Sequence, residues 1–355
     1  MESNISDFLV RKRITLRDAI KKLDESHRKI LFVIEEDGKL YGALSDGDIR
    51  RWILGSKGLN DQVAEVCNHD PIWIKPDYDL ADVKRLMLES RIQAVPVLDE
   101  DHQIVDLLFW DDVFDNENRI EIHDQLDIPV VIMAGGAGTR LDPFTRILPK
   151  ALIPIGDRSI MEVIIDKFRD YGVSRFYISL FNKAKLIKAY MEEVNPPYEF
   201  SYLEESKPLG TVGVLSRLKT VVEDSIILAN CDTIITCNYK DLVDFHSKNK
   251  YDITLVGSMI NYSVPYGICE IAKEGKLVKL TEKPEYSYLV STGMYIIRKS
   301  ALEQIPHDEF FNMTDLISSV RASGRTVGVY PISEKSWMDT GEWHEYKKTV
   351  EQLSI

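Results

Sequence analysis

Two kinds of hydrophobic pattern divide the chain. Over its first third the apolar positions recur as a block. Slid so that Thr15 falls on Asp79, residues 15–50 overlay 79–114 without a gap, matching Leu16 with Leu80, Val33 with Val97 and Leu44 with Leu108. Asp18 and Asp82, the pairs Glu25-Ser26 and Glu89-Ser90, Asp37 and Asp101, and Asp48 and Asp112 also coincide. Each copy predicts an amphipathic helix from Leu16 or Leu80, then a buried strand over 30–34 or 94–98. A polar turn follows, then a second strand over 40–44 or 104–108 and an acidic start to another helix. The repeats are set at about 11–60 and 65–118 within a module of residues 1–120. Residues 115–127 are polar and aperiodic, and predict a linker that occupies 121–127 once the module is counted to 120.

From 128 to 355 the pattern changes. Residues 128–134 form a continuous apolar run, as a strand buried on both faces requires. Similar runs recur at 176–180, 225–229 and 253–256, with helical periods over 159–171, 185–193 and 212–222. Strand alternating with helix predicts an α/β layered domain with a mixed, mostly parallel sheet, behind an α+β repeat module.

Composition narrows the chemistry. A chain of 355 residues exceeds one ordinary core, in keeping with two domains. No apolar run approaches the ~18 residues that span a bilayer, and 1–8 lack a signal-peptide pattern. The four cysteines include no CxxC pair and the seven histidines no HxxxH pair. Neither a disulfide framework nor a zinc site is expected, and a cytoplasmic location is. Against 57 acidic residues stand 44 Lys and Arg, a net charge of −13, which argues against nucleic acid as a partner. A few placed cations with Mg2+ can still hold a triphosphate.

The chemistry concentrates in Met133-Ala134-Gly135-Gly136-Ala137-Gly138-Thr139-Arg140-Leu141, followed by Pro143, Thr145 and Pro149-Lys150. A buried strand runs into glycines that let main-chain N–H groups approach phosphate oxygens, while Arg140 and Lys150 add fixed positive charge. The spacing is neither G-x-G-x-x-G nor the Walker loop. Further along stand Glu162 after Ser159-Ile160-Met161, Leu209-Gly210-Thr211-Val212-Gly213, and Leu228-Ala229-Asn230-Cys231-Asp232. Pro265-Tyr266-Gly267, Glu282-Lys283-Pro284 and Trp337-Met338-Asp339-Thr340-Gly341 complete the series. Taken singly, Asp232 fits a helix cap, Glu282-Lys283 a solvated pair and Asp339 a turn with Gly341.

In this order the motifs resemble the signature of nucleotidyl transferases acting on sugar 1-phosphates, over about 128–350, with a Rossmann-like (GT-A-like) fold. The resemblance implies that Met133, Ala134, Gly135, Gly136, Gly138, Thr139, Gly210, Thr211 and Asn230 bind nucleotide. It implies that Tyr266, Gly267, Glu282, Lys283, Thr292 and Gly293 bind the sugar phosphate. Arg140, Lys150, Asp232 and Asp339 are implied to be catalytic, the two aspartates holding Mg2+. Cys231 stands where Gly often precedes the metal Asp, Ala151 replaces a common Pro, and Ser291-Thr292-Gly293 replaces Asn-x-Gly in the sugar pocket.

The N-terminal repeats resemble a CBS-domain pair. That family often holds a nucleotide with a Ser or Thr three residues before an Asp, which Ser45 and Asp48 match. The second copy keeps Asp112 but has Phe109 in place of the hydroxyl, so one such site at most is implied. Ser45 and Asp48 equally fit a helix cap, and the module equally fits a dimerisation block without ligand. A CBS pair ahead of such a transferase, with Asn-Cys-Asp-Thr and Pro-Tyr-Gly-Ile-Cys-Glu, resembles bacterial glucosamine-1-phosphate guanylyltransferases, which make GDP-glucosamine for legionaminic acid. GTP and glucosamine 1-phosphate are thereby implied as partners, with a possible regulatory nucleotide at the CBS pair and a homo-oligomer. Mannose or heptose 1-phosphate, or UTP or dTTP, remain alternatives, as does a non-enzymatic nucleotide-binding regulatory protein.

Overall fold

The computed structural model describes residues 5–26, 28–54, 58–114 and 125–353. Of the predicted linker, 115–124 lies outside the described residues. The chain forms two compact units, Met1–Val113 with Asn261–Tyr288, and Phe114–Ile260 with Leu289–Ile355. The expected division near residue 120 is thus crossed once, where Asn261–Tyr288 is grouped with the N-terminal repeats.

In the first unit the repeat is visible down to its irregularities. The helices Leu16–Ser26 and Leu80–Ser90 begin at the predicted leucines. The strands Ile30–Ile34 and Leu40–Ser45 pair antiparallel, Phe32 opposite Ala43; Ala94–Leu98 and Ile104–Phe109 pair with Pro96 opposite Leu107, the same register one repeat later. Both ribbons shift register at the equivalent step, after Val33 and after Val97, so the bulge belongs to the repeated design. Leu9–Arg11 adds a parallel strand beside Ile30–Ile34. Alternate residues of these strands are buried in one shared cluster: Phe32 and Ala43 from the first copy, Ala94, Leu107 and Phe109 from the second. Asn261–Tyr288 supplies an antiparallel hairpin, Ile268–Ile271 with Leu277–Thr281, whose side chains are mostly exposed.

The second unit is built on a seven-stranded sheet. Its order is Glu199–Glu204, Arg175–Leu180, Val130–Met133, Ser225–Asn230, Glu285–Arg298, Ile253–Ser263, Val327–Ile332. The first four strands run parallel, Glu285–Arg298 is antiparallel to Ser225–Asn230, and the last two are parallel to each other. The central strands bury both faces. Val130, Ile132, Ile227 and Ala229 enter one apolar cluster, while Val131, Ile226 and Leu228 enter another. Such a strand has no polar face to show in sequence, which is why it reads as an unbroken apolar run. The helix Ile160–Arg169 starts on a capping box in which Ser159 and Glu162 satisfy each other's main-chain N–H. The helix expected over 212–222 is only a 3-10 segment, Gly213–Leu218. A Cβ on Gly213 would collide with the Glu309 carbonyl, and valines and glycine hold the segment at low helix propensity. Among the described residues no helix is long and apolar enough to cross a membrane.

Candidate active site

The strand Val130–Met133 delivers the chain into the glycine loop. Ala134 N–H donates to Ser179 O at 3.1 Å, and the Gly135 carbonyl accepts from Asn182 through its side chain at 3.1 Å and its main chain at 3.3 Å. Gly138 has φ +68°, and a Cβ there would lie 3.0 Å from Thr145 Cγ2 and 3.1 Å from Lys150 Cβ, so only glycine lets the loop close. The Thr145 hydroxyl donates to the Gly138 carbonyl at 2.9 Å, and Lys183 donates to the Thr145 carbonyl. Gly136 is different. A Cβ on it would meet nothing within 4 Å. The fold has no need of a glycine at 136, and the bare main chain there faces open space. Met133 is half-buried, Ala134 buried, and Thr139 opens the 3-10 turn Thr139–Leu141 that carries the exposed Arg140.

The two aspartates are brought together by a short ribbon. Thr233–Ile235 pairs antiparallel with Trp337–Asp339, Thr233 opposite Asp339, so Asp232 and Asp339 arrive at the same end. The Asp232 carbonyl accepts both the N–H and the hydroxyl of the fully buried Thr340, each at 2.8 Å. One Asp339 carboxylate oxygen accepts the Gly341 N–H at 2.6 Å, as the turn reading of this segment requires. Lys150 is 7% exposed and ion-paired to Asp232. A Cβ built on Gly341 would lie 2.8 Å from Asp339 Oδ1, 3.3 Å from Lys150 Nζ and 3.5 Å from Arg140 Nη2. Three of the four expected catalytic side chains therefore converge on one point, and the fourth is paired with one of them. Burial pushes the Asp339 carboxyl above its usual range; the Asp232 charge adds to this, while Gly341 N–H, Lys150 and Arg140 oppose it. Burial pushes the neighbouring Cys231 thiol up to about 12, so it is no nucleophile at neutral pH.

Mg2+ suits this donor set. It takes hard oxygen ligands and commonly one or two carboxylates, completing its shell with water and substrate phosphate. Asp232 and Asp339 would supply that pair, and a cation there would favour the charged form of Asp339, which burial first and the Asp232 charge second disfavour.

Other expected contacts divide between ligand-facing and framework positions. Gly293 has φ +86°, and a Cβ there would strike the Asn230 amide, so the two are in direct apposition. Thr292 is 3% exposed and its hydroxyl donates to Val256 O at 2.9 Å, a bond internal to the sheet. Gly210, φ +76°, lies against the Phe311 carbonyl, and the Thr211 hydroxyl accepts the Met313 N–H at 2.8 Å, capping the helix Met313–Ala322. Sequence reasoning missed Glu205. It accepts from the Ser179 hydroxyl and the Leu209 N–H, both at 2.9 Å, and so ties the strand Arg175–Leu180, which pairs with the glycine-loop strand, to the 209–213 segment. The only signal for it was its place four residues ahead of that motif.

In the first unit, Gly267 lies beneath Glu282: a Cβ on it would sit 2.7 Å from the carboxylate. Tyr266 and Lys283 are exposed, Lys283 with φ +41°. Cys269, on the same hairpin, is the exposed one of the four free cysteines. Ser45 and Asp48 form a reciprocal cap on the helix Asp46–Leu54. Ser45 donates through its main chain at 2.8 Å and its hydroxyl at 2.6 Å to Asp48, whose N–H donates back at 3.2 Å. Both also line a cavity of about 970 Å³. At the equivalent place in the second copy, Arg28 lies 4.6 Å over the Phe109 ring and pairs with Asp111 at 2.6 Å, which fills it.

The nucleotidyl transferase family profile matches residues 129–354, nearly two thirds of the chain. The chain belongs to this family. CBS-domain profiles match 5–55 and 63–117 of the same chain. Among curated relatives, the Methanococcus maripaludis bifunctional protein GlmU is 27% identical over 208 residues, covering 56% of this chain and 48% of that protein. The Dictyostelium discoideum mannose-1-phosphate guanylyltransferase catalytic subunit beta is 26% identical over 224 residues, 60% of each. The chain spans less than two thirds of the length of these relatives. HddC from Yersinia pseudotuberculosis shares the fold, with a TM-score of 0.51 at 24% identity over 64% of this chain and 99% of that one.

Proposed function

We propose that this transferase joins GTP to glucosamine 1-phosphate in the cytoplasm, forming GDP-glucosamine, a precursor suited to legionaminic acid synthesis, and pyrophosphate. The observation that carries the reading is the convergence of Asp339, Lys150 and Arg140 around Gly341, with Asp232 on Lys150. The guanylyl preference draws on the relative named as a mannose-1-phosphate guanylyltransferase; the amino sugar draws on the sequence resemblance.

A sugar-phosphate oxygen attacks the α-phosphorus while the bond to the pyrophosphate oxygen breaks. A phosphate monoester has a second pKa of ~6, so the nucleophile is already mostly dianionic and needs no general base. Catalysis then rests on alignment and charge neutralisation. The loop N–H groups around Gly136 and the exposed Arg140 receive the departing pyrophosphate. Lys150 exchanges its Asp232 partner for phosphate oxygen, and Lys283 anchors the sugar phosphate beside Glu282. Asp232 and Asp339 would hold Mg2+, which would supply Lewis-acid charge when bound.

The test is a pyrophosphate-release screen of GTP, UTP, dTTP and ATP against glucosamine, N-acetylglucosamine, mannose and heptose 1-phosphates. GTP with glucosamine 1-phosphate is expected to give the highest kcat/KM. A preference for N-acetylglucosamine 1-phosphate or UTP overturns the specificity, and no release with any pair overturns the reaction.

A further inference from the structure

The segment that carries Arg140 and Lys150 has little structure of its own. It runs through three short 3-10 turns, Thr139–Leu141, Phe144–Arg146 and Lys150–Leu152, so its position is set by what it is fastened to. One fastening is Lys183, bonded to the Thr145 carbonyl. Another is the helix Trp343–Leu353, which begins directly after Gly341-Glu342. Side chains of this helix donate to main-chain carbonyls: the Trp343 indole N–H to Asp142 O at 3.0 Å, the Tyr346 hydroxyl to Pro154 O at 2.6 Å and the Thr349 hydroxyl to Asp339 O at 3.4 Å. Asp142 and Pro154 flank Lys150 in the chain, and Asp339 bears one of the two site carboxylates. The Trp343 ring also lies 4.9 Å from the ring of the exposed Phe144 and 5.7 Å from that of Tyr346.

We propose that Trp343 is a positioning residue for the transfer, setting the distance between the cations of the 139–150 segment and the carboxylate of Asp339. This rests on the reaction proposed above. Trp343 acts at one remove, through the Asp142 main chain and the Phe144 ring, while its own helix is bonded to the Asp339 carbonyl. Displacement at phosphorus needs charge at fixed places, with Arg140 where pyrophosphate departs and Lys150 at the reacting phosphates. Sugar-phosphate binding does not depend on that spacing, whereas the rate of the step does. A loosened 139–150 segment therefore lowers turnover and leaves the affinity for the sugar phosphate in place. Trp343 is the helix residue that holds the segment twice, by a hydrogen bond and by a ring contact.

The experiment uses the full chain and two variants. Trp343→Phe keeps a ring against Phe144 and loses the N–H; Trp343→Ala loses both. Amide hydrogen exchange over residues 139–150 is expected to quicken about threefold in the first and about tenfold or more in the second. The single-turnover rate of pyrophosphate release with the best substrate pair should fall about threefold to tenfold in Trp343→Phe and about thirtyfold or more in Trp343→Ala. The sugar-phosphate KM should stay within about twofold of the parent in both. Parental exchange in the alanine variant overturns the fastening, and faster exchange with a parental rate overturns the positioning role. A sugar-phosphate KM that rises as the rate falls, or exchange that quickens equally over the strand Val130–Met133, shows general loosening and also overturns it. Trp343→Phe carries the test should the alanine variant fail to fold. Absence of transfer with every substrate pair overturns the reaction itself, and the positioning role with it; hydrogen exchange would still report the fastening.

Discussion

Gly341→Ala isolates the geometry of the site from its chemistry, because it adds one methyl group and removes no functional atom. The methyl carbon would lie 2.8 Å from Asp339 Oδ1, roughly 0.6 Å inside ordinary contact, and 3.3 Å from Lys150 Nζ. Side-chain ends yield more readily than backbone, so the carboxylate gives way and the fold does not. What is lost is the 2.6 Å bond from Gly341 N–H to that carboxylate. A hydrogen bond to a charged group contributes about 1.5–3 kcal/mol, which at 1.36 kcal/mol per decade is a 10- to 150-fold loss of kcat/KM. The half-saturating Mg2+ concentration should rise with it. Pyrophosphate release at varied Mg2+, with thermal melting alongside, measures both. A variant within twofold of the parent in kcat/KM and in Mg2+ dependence would refute the placement of Asp339 at the reacting centre.

Three further outcomes are expected. Gly136→Ala should leave melting unchanged and cut turnover at least tenfold, since its methyl group meets only the space left for phosphate; unimpaired turnover would show that phosphate does not approach there. Asp232→Asn should lose about 100-fold or more in kcat and melt several degrees lower, because Lys150 stays buried without its ion partner; parental kcat would reject the metal assignment. His246, 1% exposed, has its pKa held down to about 4 by burial and by the Arg298 charge. The unfolded chain takes up its proton first, near pH 6.5, so stability should fall by about 3 kcal/mol as pH drops from 6.5 to 4. His246→Asn should flatten denaturation midpoints over that range, and an unchanged slope would refute the shift.

Features set by local chain chemistry were readable in advance. The repeat helices begin at Leu16 and Leu80 because a strict apolar period starts there, and the central strands occupy their apolar runs. The glycine loop was legible because strand, glycines and cations are contiguous. Features set by distant partners were not. Nothing near Thr292 announces that its hydroxyl is committed to Val256, nor near Thr211 that it caps a helix starting about a hundred residues later. Ser45 and Asp48 carried two readings, and the structure shows the cap and the cavity wall together, with the second Asp48 oxygen paired to Arg51 at 2.6 Å. The grouping of 261–288 with the repeats had no sequence signal, because an exposed hairpin has no apolar face to declare its neighbours.

The exposure of Cys269 gives the protein a reporter of its own. Cys67, Cys231 and Cys237 are buried, so a maleimide dye offered to the native protein should attach at one place, on the strand Ile268–Ile271 of the hairpin that carries Glu282 and Lys283. Fluorescence from that position would follow the hairpin in solution, in real time and without a single substitution, as nucleotides and sugar phosphates are added.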